Sequence, residues 1–416
     1  MDLWNGAIDH KPARVLRPRS AAEVAAAVRD RGDLPVSVRG GGHDWAGRAV
    51  RDGGLVIDLR DLNTVDIDPE RRIATIGGGA TTAEVIAAAA AYGLAAAAGN
   101  AGSVGFTGLT LGGGYGPLSG LHGLALDNLL GAEVVLADGR IVQVDAEHEP
   151  ELFWAIRGGG GNFGVVTSTR VEVHPVEQML AGFMFFAWDE APRTWARLEE
   201  YLRTAPDGLT VQSGVLSAPD GSPTLLVYPV WVGDMDEGAR QIENLKGLGT
   251  ALMTQVEPTT YGDALKVYDS LTPAGRHASI RTRSFASLTP DVVDALVRTG
   301  EKRTSPFSGT VVHQFHGAAT RVPAEATAFA NREPHFVAEI VSLWEPEMPG
   351  DHVGWTEDTW LALEPYAMPG GYVNLIGPDQ AAQADAAYGG NTARLLAAKR
   401  TYDPEGVFSA TSLPRG

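Results

Sequence analysis

Four glycine clusters, at residues 40–42, 77–79, 112–116 and 158–164, punctuate short apolar segments in the first half of this 416-residue chain. A residue without a Cβ lets the backbone approach a charged group closely and present consecutive N–H donors to it. One such cluster is ordinarily a turn. Four in one stretch predict an extended, phosphate-bearing ligand lying against the backbone, with a loop-rich domain of tight turns as the alternative. The most informative cluster is Arg39-Gly40-Gly41-Gly42-His43, directly after the apolar residues 35–38. A histidine behind such a loop is placed to meet whatever the loop holds.

The familiar nucleotide folds are disfavoured. Gly159-Gly160-Gly161-Asn162-Phe163-Gly164 matches G-x-G-x-x-G, but that fingerprint must follow a strand and open a helix. Here a predicted helix (149–156) precedes it and a β-branched strand (165–169) follows. No G-x-x-x-x-G-K-[ST] loop occurs, which argues against a P-loop nucleotidase.

Local signals predict short alternating elements up to about residue 178. Ser20 with Glu23, and Thr81 with Glu84, are capping-box pairs opening a helix over 21–31 and an Ala-rich helix that Gly93 ends. Residues 35–38, 55–59, 72–76 and 165–173 read as strands. Residues 133–137 and 140–144 read as a hairpin around Asp138-Gly139. After His174-Pro175 aromatics increase and alternating stretches lengthen, as in 225–232 and 311–316. That segment, to about 370, reads as antiparallel strands with helices. Residues 386–398 predict one tail helix before Tyr402-Asp403-Pro404.

Composition narrows the chemistry. With no cysteine, disulfides, zinc–thiolate sites, iron–sulfur clusters and thiol catalysis are excluded. No metal site is expected. The formal charge of −18 opposes binding to nucleic acid or anionic membranes. No apolar run is long enough for a membrane span. The start, Met-Asp-Leu-Trp-Asn, lacks the basic and apolar regions of a signal peptide, so a cytoplasmic location is expected. The chain carries no readable signature of oligomeric state.

At this point several blocks together resemble the FAD-linked oxidases of the vanillyl-alcohol oxidase type (PCMH-type FAD-binding domain). Within them the chain is most similar to bacterial berberine-bridge-enzyme-like and 6-hydroxy-D-nicotine-oxidase-like members. The blocks are Val36-Ser-Val-Arg-Gly-Gly-Gly-His43, Gly99-Asn-Ala-Gly-Ser-Val-Gly-Phe-Thr-Gly108, Leu111-Gly-Gly-Gly-Tyr-Gly116, Gly123-Leu-Ala-Leu-Asp-Asn128, Leu152-Phe-Trp-Ala-Ile-Arg-Gly158, Gly161-Asn-Phe-Gly-Val-Val-Thr167, Tyr372-Val-Asn374, Tyr388-Gly-Gly-Asn391 and Lys399-Arg-Thr-Tyr-Asp-Pro404.

The resemblance implies an α+β fold. A two-part FAD-binding domain (1–178 and 371–416) would hold an inserted substrate-binding domain (179–370) of antiparallel sheet covered by helices. It implies FAD contacts at Arg39, Gly40, Gly41, Gly42 and His43, and in the second stretch at Ala101, Gly102, Ser103, Val104, Gly105, Gly108, Leu111, Gly112, Gly113, Gly114 and Gly116. It adds Asn128, Gly161, Asn162, Gly164, Val165, Val166, Tyr372, Asn374 and Asn391. His43 matches the position bonded to the flavin 8α-methyl. Ala101 stands where many relatives have a second, cysteinyl bond, so one covalent link through His43 is expected. Val104 matches a position where a small residue goes with reaction with O2.

Flavin oxidation also requires a base near the substrate. Period-2 alternation sets Val312, Gln314 and His316 on one strand face, and His313 and Phe315 on the other. In the family the equivalent strand carries catalytic side chains, so Gln314 is expected to orient the substrate and His316 to act as base, with His313 facing away. A half-buried strand with a satisfied polar face is the alternative. Tyr372 is the other candidate base, or else a wall packed on the flavin; Leu375 replaces a tyrosine common in relatives. His122 is expected near the flavin in a structural role. Arg281 and Arg283 could hold an anionic substrate group or form a solvated sheet face. Trp231 and Trp344 could line the pocket or pack in the core. The expected function is an oxidase acting on a small organic alcohol, amine or phenol and releasing hydrogen peroxide. An oxidative cyclase or oxygenase, or a flavin-containing metabolite-binding or resistance protein, are the other readings.

Overall fold

The computed structural model describes residues 3–218 and 220–415. Helices begin where the caps sit. Ser20 accepts the Glu23 N–H ahead of Ala21–Arg29, and Thr81 and Glu84 cap each other's backbone ahead of Thr82–Ala90. Leu129–Val135 pairs antiparallel with Ile141–Val144 around the Asp138-Gly139 turn, where Gly139 has φ +80°.

The glycine-rich half carries two sheets. One is parallel, ordered Arg14–Leu16, Leu55–Asp58, Val36–Arg39. The other is antiparallel and centred on the long strand Val165–Pro175, which pairs with Ile73–Gly77, Leu129–Val135 and Leu94–Ala96. The reversed glycine motif thus delivers a strand and opens no helix.

The third sheet is antiparallel and has seven strands, all between Met179 and Trp344. Its order is Ala251–Thr259, Met179–Phe186, Pro223–Trp231, Leu209–Ser217, Gly309–Phe315, His335–Trp344, His277–Phe285. Alternation divides it into two faces. One face lies under the helices Ala191–Leu202, Pro290–Gly300 and His352–Leu363, in a core containing Trp195, Leu198, Val292, Leu296, Val312, Ile340 and Trp355. The opposite face looks toward the glycine loops. The class is therefore α+β, with antiparallel sheet dominating the middle of the chain.

The C-terminal segment returns to the glycine-rich half. The predicted single tail helix is instead two, Ala381–Ala387 and Thr392–Tyr402. Gly389, at φ +48°, turns the chain between them. Lys399 Nζ then donates to the carbonyls of Asn162 and Phe408, each at 2.7 Å. A buried ion pair joins the middle of the chain to the flank of the glycine loops. Arg332 meets both carboxylate oxygens of Asp127 at 2.8 Å, and Asp127 also accepts the Leu124 N–H. Among the described residues, no helix is long and apolar enough to cross a membrane.

Candidate active site

A cavity of about 540 Å³ separates the glycine loops from the open face of the seven-stranded sheet. On the loop side, the strand Val36–Arg39 ends in residues 40–42. A Cβ at Gly41 would stand 2.4 Å from the Gly105 nitrogen, and one at Gly105 2.5 Å from the Gly41 nitrogen. The two loops therefore touch backbone to backbone, which only glycine permits. His43 follows. Trp4 stacks on its imidazole with centroids 4.6 Å apart. His43 Nε2 is buried with no hydrogen-bond partner. Burial pushes the imidazole down to about 4, so the ring is neutral near pH 7.

Of the expected cofactor residues, Gly40, Gly41, Gly42, His43, Ala101, Val104, Gly105, Gly108, Leu111, Gly161, Gly164, Val166, Tyr372 and Asn374 line the cavity. The others stand behind it. Arg39 faces the buried carboxylate of Asp58 at 3.8 Å. The Gly102 carbonyl accepts the Ala83 N–H, and Ser103 donates its N–H and hydroxyl to Asp269. Gly112 is kept bare by Asn374, since a Cβ would lie 2.0 Å from the amide oxygen. Gly116 donates to the Ser119 hydroxyl. Val165 packs in a core cluster with Val24, Leu55 and Phe408. Asn128 donates to the carbonyls of His122 and Leu124, Asn162 to that of Gly159, and Asn391 to those of Ala324 and Thr327. These three asparagines hold loops in shape.

Tyr372 lies on the bare backbone of residues 113 and 114. Its Oη accepts the Gly114 N–H at 2.7 Å and the Asn374 amide at 3.1 Å. Burial outweighs these donors and pushes the phenol up to about 12. Tyr372 is therefore protonated at neutral pH, and as it stands it offers no base. Gly113 has φ +153°, and a Cβ there would lie 2.7 Å from the Tyr372 ring. Gly113→Ala is expected to destabilise the fold by about 1–3 kcal/mol through strain and overpacking, read as a lowered denaturation midpoint.

The expected orientation of Gly309–Phe315 is corrected. The alternation holds, but the cavity receives Gly309, Val311 and His313. Val312 is in the helix-covered core, and that one contact decides the face. Gln314 is turned to the helix side, where its amide meets the Leu202 carbonyl at 3.4 Å. His316 sits at the strand end, beyond the cavity, where a Cβ on Gly120 would lie 2.6 Å from its ring. Burial lowers its basicity.

The open sheet face carries a cluster that alternation alone did not locate. Glu339, in His335–Trp344, pairs in register with Val311. Its Oε2 is 3.2 Å from His313 Nε2 and 3.5 Å from the Tyr115 hydroxyl. The Tyr115 ring lies 4.7 Å from both His313 and Tyr372. Burial, reinforced by the Glu339 carboxylate, holds the Tyr115 phenol protonated. Gln212, Phe183, Tyr228 and Tyr268 complete this side. One signal was available in the sequence: Glu339 is the lone charge inside the apolar run of its strand.

The remaining candidates lie elsewhere. His122 stacks on His174 at 3.7 Å, outside the cavity lining. Arg281 and Arg283 are neither solvated nor cavity-facing; they are buried, pairing with Glu357 and Asp379, and with Glu364. Trp231 is in the helix-side core and Trp344 stacks on His352.

The chain matches the FAD binding domain family over residues 12–145 and the family described as berberine and berberine like over residues 371–412. It is 32% identical to an FAD-linked oxidoreductase, aurO, of Gibberella zeae, over 98% of this chain and 81% of the relative. The structure of 6-hydroxy-D-nicotine oxidase from Arthrobacter nicotinovorans superposes with a TM-score of 0.89 at 30% identity, covering 99% and 94% of the two chains. Glucooligosaccharide oxidase from Acremonium strictum, which carries a 6-S-cysteinyl, 8α-N1-histidyl FAD, shares the fold with a TM-score of 0.89 at 23% identity, covering 99% and 94%. This chain belongs to the FAD-linked oxidoreductases of the berberine-bridge-enzyme-like family.

Proposed function

We propose that the protein is an FAD-dependent oxidase that removes a hydride from a small organic alcohol, amine or phenolic compound and passes the electrons to O2, giving H2O2. In this reading residues 1–178 and 371–416 hold the cofactor, and residues 179–370 present the substrate. One observation carries it: a cavity joins the glycine loops and His43, whose buried Nε2 has no hydrogen-bond partner, to the Glu339–His313–Tyr115 cluster.

The residues present fit FAD. The bare backbone at Gly40–Gly42 and Gly105 suits a pyrophosphate-bearing ligand. His43 is neutral, buried and at the wall, so its nitrogen is available for one covalent bond. Ala101 lines the same cavity and offers no second nucleophile. Bound FAD supplies the hydride acceptor.

The protein supplies orientation and a proton acceptor. Glu339 is the carboxylate that can take the proton from a substrate O–H or N–H, with His313 and Tyr115 holding it in place. Tyr372 walls the site as a neutral phenol. Among the described residues the cavity lining has no lysine, and its one arginine, Arg48, is paired with Asp44. An anionic substrate would find no free partner. Phe183, Tyr228, Tyr268, Leu226 and Val341 suit a flat, apolar or aromatic body, neutral or cationic. Val104 lines the cavity too, and its small side chain agrees with access for O2.

The test combines cofactor and turnover. After acid denaturation the wild type should retain yellow flavin on the polypeptide, and His43→Ala should release it. With an aromatic amine or phenol panel, air-reoxidised enzyme should yield one H2O2 per product lighter by two hydrogens. Reduced enzyme that passes electrons to a dye but not to O2 would remove the oxidase reading, and a product gaining oxygen would replace it with an oxygenase.

A further inference from the structure

The segment at residues 3–6 crosses from the His43 loop to the middle of the chain. The Trp4 N–H donates to the Gly42 carbonyl at 3.0 Å, and the Trp4 carbonyl accepts the Gly275 N–H at 2.9 Å. Its indole N–H donates to the Thr272 carbonyl at 2.9 Å. Asn5 fastens the next residue, donating to the carbonyls of Trp45 and Ala278. Trp4 is 93% buried, with 7% of its surface exposed. These anchors fix the indole independently of His43. The indole then lies over the His43 imidazole at 4.6 Å with planes 21° apart, an offset-stacked geometry. An imidazole on a glycine-flanked loop can otherwise rotate about two side-chain torsions.

We propose that Trp4 is a positioning residue for covalent attachment of the flavin, its indole fixing the plane of the His43 ring at the cavity wall. This rests on the reading that His43 bonds FAD. In that reaction an imidazole nitrogen forms a bond to the 8α carbon. The N–H proton and one C–H hydrogen, with two electrons in all, pass to the flavin ring. O2 would then take those two electrons and the two protons from the reduced ring, becoming H2O2 and restoring the oxidised ring. The reaction needs a neutral imidazole held in one orientation, and a misplacement of about 1 Å costs about 100-fold.

The experiment follows covalent incorporation, read as flavin retained after acid precipitation, at timed intervals after FAD is added to wild type, Trp4→Phe, Trp4→Leu and Trp4→Ala. Native gel filtration reports noncovalent binding, and circular dichroism reports folding. Trp4→Leu and Trp4→Ala are expected to bind FAD yet attach it about 10- to 100-fold more slowly. Trp4→Phe, which keeps a stacked ring but loses the indole N–H, should attach it at close to the wild-type rate. Wild-type attachment rates in folded Trp4→Leu overturn the proposal, as does a Trp4→Phe as slow as Trp4→Leu. Should Trp4→Ala fail to fold, the Phe and Leu pair decides. Release of all flavin from the wild type itself would instead sink the His43 linkage, and Trp4's role with it.

Discussion

Glu339→Gln lowers kcat/KM by about 100- to 10,000-fold, the range supplied by a positioned general base. The amide keeps the size of the carboxylate and can still meet His313, whose Nε2 lies 3.2 Å from it. It cannot accept the substrate's proton. FAD content should be unchanged, because the cluster stands across the cavity from His43 and the glycine loops. Anaerobic stopped-flow should show the loss in the flavin-reduction step, with reoxidation by O2 unaffected. His316→Ala should leave the same step nearly unchanged, since that ring lies outside the cavity lining. A Glu339→Gln enzyme within tenfold of wild type, or a collapse in His316→Ala, would return the base to the end of the strand.

Arg332→Ala is expected to destabilise the protein by about 3–5 kcal/mol, the usual effect of orphaning one member of a buried ion pair. The side chains are 4% and 8% exposed, so Asp127 would lose its partner with little access to water in its place. The loss extends further. Arg332 also donates to the Ala319 carbonyl and the Thr327 hydroxyl, and Asp127 shapes the turn at Leu124. The measurement is the denaturant midpoint of the cofactor-loaded protein. A shift worth less than about 1 kcal/mol, the range of an exposed pair, would show that the pair is relaxed by water.

Interactions between near neighbours were legible in the sequence. Ser20/Glu23 and Thr81/Glu84 cap helices because the groups involved are three residues apart. Asp138-Gly139 turns a hairpin because glycine takes the left-handed conformation without cost. The order of helix, glycines and strand at 149–173, the reverse of a Rossmann fingerprint, argued against a Rossmann unit, and the structure has that order. The loop residues from Gly40 to Gly42 were legible for the same reason: a bare backbone is written in the residue type.

The sheet side of the cavity was not. Alternation in Gly309–Phe315 determined that His313 and Gln314 lie on opposite faces, since a pleated strand has period two. It carried no information on which face meets the cavity. That polarity came from the helices packing over Val312 and Ile340, contacts made by segments far away in the chain. Glu339 and Tyr115 are 224 residues apart and meet only across the cavity. Trp4 reaches His43 through hydrogen bonds to Gly42, Thr272 and Gly275. By itself the sequence determined most element types and the glycine loops, because these depend on local backbone chemistry, and its resemblance to known blocks pointed to the family. The tertiary structure alone decided which side chains share the cavity, because burial of one sheet face leaves only the other open to a ligand.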